Sequence, residues 1–112
     1  MMVRQKSSPF GSQTRTRVLI ALQFGGESYA RELARLLETP LSAVQGALRS
    51  LERDGLVGAK SAGRTRLCRL EPRYFATREL CAFLARLAAG EPRLRDRVEL
   101  VRRRPRRTGK PL

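Results

Sequence analysis

A chain of 112 residues holds one compact domain and a tail, not two domains. Hydrophobic residues make up 41% of it and aromatics only 5%, so Leu, Val and Ala must build the core, which suits closely packed helices better than a large sandwich. Lys and Arg number 24 against 10 acidic residues, a formal charge of +14 that fits a polyanionic partner, and without any His the usual acid–base and metal chemistry has no imidazole to use.

Of the 24 basic residues 21 are Arg, with Lys only at Lys6, Lys60 and Lys110. The guanidinium fork suits phosphates and guanine edges, although a GC-rich genome would produce the same bias. No apolar stretch follows Arg4 and Lys6, and no run of 18 apolar residues exists, so a cytoplasmic, nucleoid-associated protein is expected and a membrane is not. Cys68 and Cys81 lie thirteen residues apart without a CxxC spacing and read as small buried hydrophobes in a reducing compartment.

Residues 1–11 read as a disordered arm, broken by Pro9 and Gly11. Ser12 or Thr14 caps a first helix running to about Phe24, with Val18, Leu19 and Leu22 at core spacing and Gly25-Gly26 as its stop. Ser12, Thr14, Arg15 and Arg17, near its start, offer a weak phosphate-contact signal. A second helix is expected from just after Ser28 to about Leu37, with Arg31-Glu32 in its first turn and Tyr29, Leu33, Leu36 and Leu37 on one side. Thr39 as N-cap and Pro40 as first residue open a third, over 40–53, where Leu41, Val44, Leu48 and Leu51 form one stripe. Gly55 ends it. Segment 56–70 then reads as a hairpin turning at Ser61-Ala62-Gly63, with Lys60, Arg64 and Arg66 around its tip. A fourth helix over 76–89 and a last one over 92–103 follow, separated by Gly90-Glu91-Pro92. Residues 93–110 carry nine basic and two acidic residues, hence +7, half of the net charge. The Arg102–Arg107 run within them is a phosphate anchor or a solubilising tail.

Two short helices joined by a three-residue turn and followed by a basic hairpin have the order of a winged helix-turn-helix. The expected class is mainly α with a small β-hairpin wing, plus C-terminal helices. In that arrangement the second helix of the pair enters the major groove with its polar stripe outward. Here the outward positions are Ser42, Gln45, Gly46, Arg49 and Arg53. Gln45 suits adenine, Arg49 guanine or a phosphate, and Ser42 a phosphate or base edge. Gly46 costs about 1 kcal/mol of helix propensity against Ala, which asks for close approach to DNA or tight packing on a neighbouring helix. Lys60, Arg64 and Arg66 would carry the wing to a flanking minor groove or phosphates.

Residues 29–70, YARELARLLETPLSAVQGALRSLERDGLVGAKSAGRTRLCRL, resemble the winged-helix cores of ArsR-like and MarR-like prokaryotic regulators. The likeness is best from Leu41-Ser42 through Leu48-x-x-Leu51-Glu52 to the Asp54-Gly55-Leu56-Val57 exit into the wing, and residues 12–89 can be laid along it. It implies sequence-specific binding of double-stranded DNA by a homodimeric transcriptional regulator, with repression the expected mode. The domain plan is then an arm (1–11), a DNA-binding domain (12–71), dimerisation helices (72–101) and a basic disordered tail (102–112). Leu80, Leu84, Leu87, Leu94 and Val98 would form the dimer surface, although the fourth helix must also complete the chain's own core. The chain departs from metal-sensing ArsR-like members, which carry paired Cys or His/Asp ligands, so no metal or cofactor is expected. Nor does an effector site stand out.

Other classes fit less well. An enzyme lacks any nucleophile–base spacing. A non-specific chromatin-like or RNA-binding protein would show charge on every side and stacking aromatics, of which few are present. A winged-helix protein-interaction module would turn an apolar or acidic face outward on the third helix, where Gln45, Arg49 and Arg53 are balanced only by Glu52.

Overall fold

In the computed structural model, which describes residues 9–103, Ser12 opens the first helix by accepting a hydrogen bond from the Arg15 N–H at 3.1 Å. Helix α1 (Gln13–Gly25) is followed by strand β1 (Ser28–Tyr29), helix α2 (Ala30–Leu37), helix α3 (Leu41–Arg53) and strands β2 (Val57–Ala62) and β3 (Thr65–Leu70). Helices α4 (Thr77–Ala88) and α5 (Pro92–Arg103) complete the order. Residues 1–8 of the expected arm and residues 104–112 of the expected tail lie outside the described residues.

Helix α1 is the centre of the molecule. The sequence suggests one buried face, but Val18, Leu19, Ile20, Ala21 and Leu22 are all buried in succession. The reason is that α2, α3, α4, α5 and β3 all pack against this helix, so it has no solvent side along its middle. Gly25 lets α5 come close: a Cβ there would stand 3.3 Å from Val98 Cγ1. Gly26, at φ 79°, then ends the helix with its N–H on the Leu22 carbonyl.

The second helix starts later than expected, because Ser28 and Tyr29 are drawn into the sheet. They pair antiparallel with Cys68 and Leu67, giving a three-stranded sheet in the order β1-β3-β2. The turn into α3 is Glu38-Thr39-Pro40, with Glu38 in the left-handed region at φ 52°. Pro40, not Thr39, is the N-cap: its extended backbone stands at ψ 142° and its carbonyl accepts from the Ala43 and Val44 N–H groups. Thr39 instead donates its hydroxyl to the Leu37 carbonyl at 3.0 Å.

Gly55, at φ 83°, turns the chain from α3 into the wing. The hairpin is tighter than the sequence suggests. Ser61 and Ala62 belong to β2, and Ala62 pairs directly with Thr65 across a two-residue Gly63-Arg64 turn. Gly63 at φ 68° provides the positive dihedral that such a short loop demands at its first position. Helix α5 occupies the predicted span and buries Leu94 and Val98. The architecture is a winged helix-turn-helix, mainly helical with a small sheet. Among the described residues no helix is long and apolar enough to cross a membrane.

Candidate nucleic-acid interface

Helix α3 divides cleanly. Val44, Ala47, Leu48 and Leu51 are buried, while Ser42, Gln45, Arg49 and Arg53 are exposed and Gly46 sits half-buried among them. At 3.6 residues per turn these five outward positions fall within about 100° of the circumference. One polar stripe therefore looks away from the core.

The wing stands beside that stripe. Between them lies an open cleft of about 450 Å³ whose walls include Gln45 and Arg49 of α3 and Arg64 and Arg66 of the hairpin. Leu48 and Cys68 are buried residues lining it, and Tyr29 and Arg31 close the side next to α2. Arg31, Arg49, Arg64 and Arg66 thus face the same space as a single carboxylate, Glu52. Among the described residues Arg31, Arg49, Arg53 and Arg64 form no ion pair. An arginine-lined cleft of this kind attracts phosphate oxygens and offers donors to base edges.

Arg66 sits differently from its neighbours. Its Nη2 and Nη1 reach the two oxygens of Glu52 at 2.7 and 3.2 Å, a bidentate pair joining the wing to the last turn of α3. The carboxylate holds the guanidinium all the more firmly in its charged form. Cys68, two residues further along β3, has its thiol pushed up by burial first and by the Glu52 charge second, so it stays neutral. No group of three or more His, Cys, Asp or Glu among the described residues could hold a metal ion.

Lys60 is separated from the cleft. It pairs in register with Leu67 and so points to the face opposite Arg66, where its Nζ lies 3.8 Å from Glu27. Ser42 and Arg53 stay on the outward arc of α3 but do not line the cleft. Arg15 and Arg17 do not stand free for phosphate. Arg15 donates to Asp54 at 2.8 Å, to Ser50 Oγ and to the Phe10 carbonyl, and so pins the C-terminal end of α3 to α1. Arg17 lies 3.4 Å from Glu91.

The sequence does not place Tyr29 and Arg31 at this cleft: Tyr29 reads there as an apolar helix position. Arg31 looked like an ordinary first-turn helix charge, and only the pairing of β1 with β3 brings it beside the wing. Glu38, at the turn between α2 and α3, is bound by Arg97 at 2.8 Å, and that hydrogen bond and charge hold its carboxyl below the usual range. Helix α5 is thereby tied to the helix-turn-helix itself.

Gly46 can now be decided between its two readings. A Cβ at this position would meet nothing within 4 Å, so no neighbouring helix requires the glycine. Gly46→Ala is therefore expected to stabilise the fold by up to about 1 kcal/mol, because the helix gains propensity without a clash. If the α3 backbone lies against DNA, the same change weakens duplex binding. Thermal unfolding and a DNA titration on one variant read both effects, and a lower melting point would contradict the open geometry.

The residues expected at a dimer surface lie in or against the core of the single chain. Leu80, Leu84, Leu94 and Val98 are buried within the chain's own core, and Leu87 packs against it. Among the described residues the large apolar side chains left exposed are Phe75 at 91%, Phe83 at 44% and Leu100 at 61%.

The winged helix-turn-helix class is supported by solved structures of similar shape. Two variants of ZitR from Lactococcus lactis align at a TM-score of 0.60 with 21% and 22% identity, over 88% and 87% of this chain. A further double variant, in its apo form, aligns at 0.53 with 16% identity over 80%. This chain spans slightly under two thirds of those proteins, 66%, 64% and 65% respectively. At such identities the likeness concerns the fold. No protein-family model and no curated protein sequence matches the chain.

Proposed function

We propose that the chain is a sequence-specific double-stranded DNA-binding regulator of transcription, with α3 in the major groove and the β2–β3 hairpin as its wing. The observation that carries this reading is the continuity of the outward stripe of α3 with the arginine-lined cleft under the wing. A helix is the right width for the B-form major groove, and Gln45 and Arg49 are the residue types that read adenine and guanine there. Ser42, Gly46 and Arg53 extend the contact along α3, and Arg31 and Arg64 take flanking phosphates. Lys60, on the far face of the wing, is at most a peripheral contact.

The regulator acts as a homodimer. A pair of copies meets over the outward sides of α4 and α5, where Phe83 and Leu100 remain open, with Leu80, Leu84, Leu87, Leu94 and Val98 supporting that surface from beneath. Repression, by occupying DNA that a polymerase needs, is the regulatory mode.

The reading is tested by titrating the protein with duplex DNA and duplex RNA of the same sequence at about 150 mM salt, where weak electrostatic binding has largely faded. A-form RNA has a deep, narrow major groove that side chains cannot read. Clear preference for DNA is expected. Equal binding would favour a general nucleic-acid-binding protein whose affinity rests on charge alone.

A further inference from the structure

Glu52 is oddly placed for a DNA-reading helix. A carboxylate in the last turn meets the negative end of the helix dipole, and in the cleft it would also repel phosphate. Arg66 is spent on cancelling it, although its side chain is 57% exposed and could reach outward. Exposed ion pairs add little to stability, so the consequence of this one lies in where it holds its two groups. Two contacts to both carboxylate oxygens fix direction as well as distance. On the other flank of the same helix end, Arg15 holds Ser50 and Asp54, so α3 is gripped at its C-terminal end from both sides.

We infer that Glu52 and Arg66 are a specificity-determining pair: Glu52 withholds the Arg66 guanidinium from the DNA backbone and sets the wing at a fixed angle to α3. This rests on the DNA-binding reading above and deepens it. Arg66 is then a positioning residue, and phosphate affinity in the cleft comes from Arg31 and Arg64. Without the pair, Arg66 becomes one more sequence-blind cation, which raises binding to every duplex and lowers discrimination between them.

The test compares wild type, Glu52→Gln and Arg66→Ala in the full chain. Two quantities are read: the dependence of affinity on salt, and the ratio of affinities for the preferred duplex over a scrambled one. Arg66 is 57% exposed, and the Gln that replaces the half-buried Glu52 keeps its shape, so neither change disturbs the core. Glu52→Gln is expected to steepen the salt slope by about 0.9, one added phosphate contact, and to lower the ratio. Arg66→Ala is expected to lower the ratio without flattening the slope. A slope that flattens on Arg66→Ala, or a ratio that Glu52→Gln leaves unchanged, overturns the inference. A wild-type chain with no preference between duplexes removes the DNA reading as well, which distinguishes the two failures.

Discussion

Leu19→Ala is expected to remove about 2–5 kcal/mol of folding stability, the range for a large-to-small change at a site that cannot collapse. Leu19 is fully buried near the middle of α1, the helix against which α2, α3, α4, α5 and β3 all pack. The void left behind would be felt by every layer, since no single neighbour can move to fill it without losing contacts to another. Single domains are stable by only about 5–15 kcal/mol, and small ones sit low in that range. The variant should therefore unfold at a much lower urea concentration, with an unchanged slope. Leu100→Ala, at a position 61% exposed, is the control and should change a dilute sample by no more than about 0.5 kcal/mol. A Leu19 effect no larger than that control would contradict the central position of α1.

Arg49→Ala is expected to weaken binding to the preferred duplex by about 1–3 kcal/mol and to relax the choice of base at one position. The guanidinium is exposed on the outward stripe of α3, lines the cleft and forms no ion pair among the described residues, so no internal partner competes for it. A bidentate contact to a guanine edge uses both outer nitrogens at a fixed spacing, which is why Arg49→Lys should rescue little of the loss. Competition titrations with single-base variants of the duplex distinguish the roles. An equal loss on all of them, with a salt slope flatter by about 0.9, would make Arg49 a phosphate contact instead.

The helical part of this architecture was legible because its signals are periodic and local. The stripe of Val44, Leu48 and Leu51 and the glycine after Asp54 suffice to place α3, and Gly90-Glu91-Pro92 separates α4 from α5. The outward set of α3 follows from the same period, since what is not buried must face out. Features that depend on register across the sheet were not legible. A two-residue strand such as β1 has no period to detect, so neither it nor the position of Arg31 could be foreseen. The Glu52–Arg66 pair joins residues fourteen apart through the hairpin, and the strand face of Lys60 changes with a one-residue shift of register. Burial on α4 and α5 was also ambiguous. An apolar face at helical spacing looks the same whether it meets the rest of its own chain or a second copy, and Leu84 and Val98 meet their own chain.

The central claim, that α3 reads base sequence in a major groove, is tested most directly by selecting bound duplexes from a random pool at about 150 mM salt. An enriched inverted repeat is expected, with half-sites about one helical turn apart, as two copies related by a two-fold axis would demand. Measurable binding with no enriched sequence would contradict it, leaving the charge of +14 as the source of affinity.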